Sequence, residues 1–280
     1  MSDFPNVNIN GLVVGPREPV RVMSVINLSP ESFYKRAIAD SVDRFHMMIE
    51  GVSKEGADLI DIGGASTAPK QVYETTDISL DEEIIRVKDA LNSIDTSKYP
   101  PISIDTTSSK VARVAIDLGV SLVNDVSGLH SDSNMSSLVA EHGLPIVLMA
   151  RCDSPCESVQ SSIKSLMDSL KIAREAGIGS NRIILDPGIG FGKPAEVDVQ
   201  ILRELGQFMK LNHPLLVGVS RKAFIGHILN QPNPEDRLLG SLVATTFAVA
   251  EGASVIRTHD VTKTKIAIKM GESFRGTIRN

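Results

Sequence analysis

The chain has no tryptophan, only 4% aromatic residues and two cysteines among its 280 residues. Its Lys and Arg total 29 against 34 Asp and Glu, a net charge of −5. Without surplus cations or interleaved aromatics it cannot neutralise a run of phosphates, which argues against nucleic-acid binding. No apolar run approaches the roughly 20 residues that span a bilayer. The amino terminus, "MSDFPNVNING", lacks the basic stretch and apolar core of a secretory leader. A cytoplasmic protein without a membrane partner is expected. Cys152 and Cys156, in "RCDSPCES", fit neither the usual redox pair nor a four-ligand zinc site, so two reduced thiols in a cytosolic loop are expected.

Several chemistries lack their motifs. His130, His142 and His213 are scattered, with no metal-ligand spacing for a structural transition metal. "GIGFGK" is not a P-loop, because Gly188 lies one residue too near Gly192-Lys193 and Pro194 replaces the hydroxyl residue. No G-x-S-x-G elbow is present, which leaves hydrolytic acyl transfer without its nucleophile.

What is present is alternation. Short β-rich runs near residues 22–26, 59–62, 102–104, 122–123, 146–149, 183–185, 215–219 and 255–256 alternate with amphipathic stretches. Eight βα units in this length suit a single (β/α)8 TIM barrel, an α/β fold; a doubly wound open sheet is the runner-up. One helix is expected over "SVDRFHMMIEGVSKEG", with Val42, Phe45, Ile49 and Val52 on one face. Another is expected over "SSKVARVAIDLG", with Ser108 or Ser109 as N-cap and Gly119 as C-cap. Residues 1–20 read as a short N-terminal β-hairpin turning at Asn10-Gly11 and closing the barrel bottom, and 21–280 as the barrel.

The strands stop on polar residues: Asn27, Asp61, Asp105, Asn124-Asp125, Met149, Asp186, Ser220-Arg221-Lys222, and Arg257 with His259. In a barrel these ends ring the active site. A lone Asp or Asn there commonly caps the next helix. That does not explain Asp61 or Asp186, which precede "IGGAST" and "PGIGFGK" rather than a helix start. Asp105 is followed by better caps in Ser108 and Ser109. Carboxylates and amides around one mouth suit a flat, nitrogen-rich heterocycle. Arg221, Lys222, Arg257 and His259 gather at strands seven and eight, the usual phosphate site of this fold. The glycines of "GIGFGK" would let a loop turn tightly and bring Phe191 and Lys193 over the site.

The blocks "VMSVINLSPESF", "GADLIDIGGAST", "ISIDT", "LVNDVSG", "IILDPGIGFGK", "LLVGVSRKAFIG" and "IRTHDV" occur in the order and spacing of a known family. From about Arg21 to Met270 the chain resembles dihydropteroate synthase, the pterin-binding barrel enzyme of folate synthesis. The resemblance implies a transferase that displaces pyrophosphate from a 6-hydroxymethyl-dihydropterin diphosphate and joins the carbon to an aromatic amine. It implies that Asp105, Asn124, Asp186 and Lys222 hold the pterin, with Met149 and Phe191 also in its pocket. Asn27, Arg257 and His259 would hold the pyrophosphate, with Mg2+ bridging it to Asn27. Lys222, Arg257 and Asn27 would carry the catalysis, and homodimers are the family's habit.

Thr67, Pro69 and Ala223 fall at the positions for the acceptor amine, where this chain departs from the family pattern. Tyr34, Lys35, Arg36 and Ala37 stand in place of a Ser-Asp-Gly-Gly stretch, Ala68 replaces an arginine, and Ala223 replaces a serine that assists in binding the carboxylate of p-aminobenzoate. Of the two acceptors the reading leaves open, p-aminobenzoate is expected to be the poorer substrate and a bulkier ribosylated aminobenzene phosphate, of the kind used in methanopterin synthesis, the better one, its phosphate met by Lys35, Arg36 and Lys70. Two other functions share the pocket: a pterin-dependent methyltransferase domain, and a pterin-binding paralogue without catalysis.

Overall fold

The computed structural model of the chain describes residues 4–30, 34–67, 78–152 and 154–275. β1 (Val7–Ile9) and β2 (Leu12–Val14) form an antiparallel hairpin. Asn10 and Gly11 turn it with φ of 48° and 92°, the left-handed pair that a two-residue hairpin loop requires.

Eight parallel strands follow: β3 (Arg21–Asn27), β4 (Leu59–Gly63), β5 (Ile102–Asp105), β6 (Leu122–Asp125), β7 (Ile146–Met149), β8 (Ile183–Asp186), β9 (Leu216–Val217) and β10 (Val255–Thr258). They are ordered β8-β7-β6-β5-β4-β3-β10-β9. The two ends meet where Leu185 bridges Leu215 and its N–H reaches the Pro214 carbonyl at 2.9 Å, which brings the sheet round into a barrel.

Helices α1 (Val42–Lys54), α2 (Leu80–Asn92), α3 (Ser109–Asp117), α4 (Ser133–His142), α5 (Val159–Glu175), α6 (Ala195–Arg203), α7 (Leu205–Met209), α8 (Ala223–Leu229), α9 (Leu238–Ala250) and α10 (Val261–Phe274) run between and after the strands. α1 buries Phe45 and Ile49 and half-buries Val52, while Val42, at its first turn, stays 42% exposed.

Strand alternation sorts the side chains. Met23, Leu59, Leu122, Val147, Ile184, Leu216 and Val255 form one interior cluster with Val7, Ile9 and Val14 of the hairpin. The hairpin thus plugs the bottom of the barrel. Two positions further along the same faces come Asp61, Asn124, Met149, Asp186 and Arg257, so each strand begins in an apolar floor and ends in a polar mouth. Residues of the opposite parity, such as Val22, Ile26, Ile60, Ile104 and Ile256, join the outer core beneath the helices.

Local expectations fared unevenly. The strand expected over 215–219 contracts to Leu216–Val217. Ser108 is the N-cap of α3 by position, but its side chain makes no cap bond; Asp132 Oδ2 accepts the Ser109 N–H instead, at 2.8 Å. Gly119 lies just past the C-cap Leu118 with φ 94°, the left-handed residue that stops the helix.

The expectation of two reduced thiols is corrected: Cys152 and Cys156 form a disulfide, their Cα atoms 5.3 Å apart, within bridging range. Their spacing ruled out familiar motifs but not a short loop that folds back on itself. The argument for a cytosolic compartment from unpaired cysteines falls with it. Among the described residues no helix is long and apolar enough to cross a membrane.

Candidate active site

Register aligns the polar ends. Asn27 pairs across the sheet with Gly63, Gly63 with Asp105, and Asp105 with Asn124, while Met149 pairs with Asp186. A Cβ on Gly63 would stand 3.6 Å from Asn27 Oδ1 and 3.8 Å from the Asp105 Cβ, so glycine there keeps open the space between the two side chains.

Arg257, at the end of β10, reaches across this row. Its Nε donates to Asp61 Oδ2 at 2.7 Å and an Nη to Asp105 Oδ2 at 2.8 Å. Asn124 donates to the same Asp61 oxygen at 3.0 Å, and Thr67 to Asp105 Oδ2 at 3.4 Å. The second oxygens, Asp61 Oδ1 and Asp105 Oδ1, are buried without a hydrogen-bond partner. Burial pushes the Asp105 carboxyl up to about 7, against the opposing pull of Arg257 and with help from the Asp61 charge. Arg257 is itself raised, burial being outweighed by Asp61 and Asp105.

On the other wall Asp186 accepts the Gly188 N–H at 2.7 Å, and burial raises its carboxyl while Lys222 opposes. Burial lowers the Lys222 ammonium to about 8, with Asp186 opposing. Lys222 donates to the Ile189 carbonyl and holds its Nζ 4.4 Å from the centre of the Phe191 ring. The loop between β8 and α6 is shaped to receive it. Gly190 has φ 76°, and a Cβ there would run into the Lys222 stem. Lys193 is buried and ties the loop by donating to the Gly188 carbonyl, while Asp198 on α6 accepts the Gly190 N–H at 2.8 Å.

The cations after β9 divide their work. Arg221 adopts a left-handed backbone, φ 57°, and turns its buried guanidinium away to Asp260 and the carbonyls of Pro234 and Glu235. The Tyr34 ring lies 4.6 Å from it. This reversal presents Ser220 and Lys222 to the mouth. Ser220 Oγ accepts the His259 N–H at 3.3 Å and lies 3.0 Å from His259 Nδ1. Burial, then the Arg257 charge, lowers the His259 imidazole to about 3, so it is neutral near pH 7.

The structure therefore brings together Asn27, Thr67, Asp105, Asn124, Met149, Asp186, Phe191, Lys222, Arg257 and His259 around one mouth. Ala223 opens α8 directly after Lys222, half-buried. Pro69, Ala68 and Lys70 lie outside the described residues. Arg36 pairs with Glu235 at 3.2 Å and Lys35 donates to the Pro30 carbonyl at 2.8 Å. Asp61 belongs to this cluster, bonded to Arg257 and Asn124, although no role beyond the ring was expected of it; its one signal was a carboxylate followed by no helix start.

Residues 23–259 match the family described as pterin binding enzyme. The chain belongs to that family. This pterin binding enzyme is 37% identical over 260 residues to the dihydropteroate synthase of Bacillus subtilis, covering 92% of this chain and 90% of that one. It superposes with TM-score 0.82 on a dihydropteroate synthase from Coxiella burnetii in complex with pteroic acid, at 35% identity over 92% and 94% of the two chains. With the Xanthomonas albilineans dihydropteroate synthase bound to 4-aminobenzoic acid the TM-score is 0.84, at 32% identity over 96% and 97%. It is a dihydropteroate synthase-like transferase.

Proposed function

We propose that the enzyme joins the methylene of a 6-hydroxymethyl-7,8-dihydropterin diphosphate to the nitrogen of p-aminobenzoate and releases pyrophosphate. The observation that carries this reading is the facing of two buried carboxylates, Asp105 and Asp186, with three cationic or imidazole groups, Lys222, Arg257 and His259, in one mouth. Asp105, Asn124 and Asp186 would meet the N–H edge of the heterocycle and Lys222 its carbonyl, with Met149 and Phe191 against its faces. Arg257, His259 and Asn27 would receive the diphosphate. The methylene C–O bond breaks with its electron pair leaving on pyrophosphate; the amine then supplies the new C–N bond and loses a proton. Cations already aimed at the departing anion stabilise that charge without reorganisation.

Asn27 offers one amide oxygen for Mg2+, and among the described residues no group of three or more His, Cys, Asp or Glu side chains could hold a metal. That donor set suits an ion carried mainly by phosphate oxygens and water, as Mg2+ prefers. Magnesium would neutralise the diphosphate.

For the acceptor we favour p-aminobenzoate over the ribosylated phosphate expected from the sequence, because the similar Xanthomonas albilineans enzyme is bound to 4-aminobenzoic acid and Arg36 and Lys35 already have partners in Glu235 and the Pro30 carbonyl. Pyrophosphate release measured with both amines tests the choice, and release only with the ribosylated amine would reverse it. A methyltransferase domain has no use for the diphosphate side of the mouth; methyl transfer to a corrinoid protein without pyrophosphate release would establish it. Pterin binding with neither reaction would mark the paralogue.

A homodimer through α9 and α10 is part of this proposal. Leu239, Val243 and Phe247 on α9, and Ile266, Met270 and Phe274 on α10, form two exposed stripes at four-residue spacing, Leu239 and Val243 at 75% and 71%. α9 carries no charged residue. Leu239→Glu with Val243→Glu should halve the mass seen by light scattering.

A further inference from the structure

Arg257 occupies the ground that both halves of the proposed substrate need. Its guanidinium lies on Asp61 and Asp105, at 2.7 and 2.8 Å, although the diphosphate subsite assigned to it lies toward His259 and Ser220. Of the two Asp105 oxygens, only Oδ2 carries partners. Oδ1 is sealed from solvent and has no partner, and Oδ2 carries Arg257 together with the Thr67 hydroxyl. A heterocycle N–H seeking Asp105 must therefore move Arg257 aside or share its oxygen. Moving it leaves a half-buried guanidinium between Asp61 and the other cations, Lys222 among them, with one partner fewer. Conversely, an anion at the mouth that draws Arg257 outward strands the Asp105 carboxylate. Breaking an ion pair is costly where the abandoned charge stays buried, as the Asp105 carboxylate does. When both ligands are present neither charge is abandoned: the N–H replaces Arg257 on Asp105, and the anion receives Arg257.

We propose that Arg257 is a shared group that couples the two subsites, so that a pterin at Asp105 and a diphosphate at the His259 side bind with positive cooperativity even when they are separate molecules. The proposal rests on the reading that Asp105 holds the pterin. Asp61 is then a positioning residue. It keeps Nε of Arg257 while the far end of the guanidinium changes partner, and Asn124 holds the Asp61 carboxylate in place from the other side. The consequence is selectivity for a substrate bearing both parts. A free pterin or a free anion meets an occupied site, whereas the intact diphosphate ester exchanges both partners in one event.

Calorimetry separates the parts. The affinity of 6-hydroxymethylpterin, which lacks the diphosphate, is measured with and without saturating inorganic pyrophosphate at matched ionic strength and without magnesium. Reciprocity requires that the pterin tighten pyrophosphate by the same factor. We expect at least a fivefold gain in both directions. In Arg257→Ala the gain should vanish and 6-hydroxymethylpterin alone should bind no more weakly than to the wild type, since its competitor is gone. Arg257→Lys, which keeps a cation should the alanine variant fail to fold, should retain less than half of the logarithmic gain. Asp61→Asn, which loosens the hold on Nε of Arg257, should reduce the gain. Pterin affinity that ignores pyrophosphate in the wild-type protein overturns the coupling and leaves the pterin reading intact. No pterin binding under either condition overturns both.

Discussion

Arg221 and Asp260 form a two-point ion pair, Nε to Oδ2 and Nη2 to Oδ1, both at 2.8 Å. The pair faces away from the mouth, yet it fixes the backbone reversal between Ser220 and Lys222. Arg221→Ala would leave the Asp260 carboxylate without its cation and should destabilise the fold by about 3–5 kcal/mol. Arg221→Lys, a point charge in place of a fork, should recover only part of that. Urea unfolding measures both; a lysine variant as stable as wild type would show that the second hydrogen bond is idle.

The carboxyl of Asp105 titrates near 7 in the fold against 3.8 as its ordinary value. Between these values the folded chain keeps a proton that the unfolded chain has released. The associated stability is complete below about pH 4 and drains as pH rises through 7, at no more than about 1.4 kcal/mol per pH unit. Asp105→Asn cannot titrate, so the variant should gain on the wild type across that window. Parallel stability profiles for the two proteins would remove burial as the governing influence on this group.

Protein denatured without reductant should show no reactive thiol, and two after reduction. For a loop this short, with the cysteines four residues apart, the chain-entropy estimate for the bond is about 2 kcal/mol. Reduction should lower the unfolding free energy by that order. Two thiols in unreduced protein would restore the expectation drawn from the sequence.

Ile9 of the hairpin is fully buried in the barrel floor. Ile9→Ala should cost about 2–5 kcal/mol through lost contacts and an unfilled cavity. KM for either substrate should be unchanged, because the floor lies at the opposite end from the mouth. A raised KM with unaltered stability would contradict that separation.

Ala223→Ser restores a hydroxyl beside Lys222. One hydrogen bond to a carboxylate contributes about 1.5–3 kcal/mol at best, so KM for p-aminobenzoate should fall while KM for the pterin diphosphate holds. Steady-state kinetics with each substrate varied in turn would show it, and no change would place the amine's carboxylate elsewhere.

Much of this was legible before any coordinates. Eight apolar runs with polar ends gave the barrel, because strand alternation makes Leu59 and Asp61, or Ile184 and Asp186, neighbours on one face. Asn10-Gly11 gave the plug. The partner of Asp61 was not legible: Arg257 lies 196 residues away, and only the pairing of β10 with β3, itself the neighbour of β4, brings the two together. The same limit applies to Asp132, which caps α3 from a neighbouring turn where Ser108 was the nearer candidate. The cysteines failed differently, since whether two thiols four residues apart meet depends on the path of the loop rather than on its composition.

The apolar floor has one more implication. A barrel stoppered by Val7, Ile9 and Val14 is a cul-de-sac, with a single doorway at the carboxyl ends of the strands. Substrates and products must queue there. On the proposed reading the pterin half would sit deepest and arrive first, with the amine between it and the exit. Turnover then depends on traffic as well as on chemistry, and a bulky product that lingers in the doorway would hold the next pterin outside.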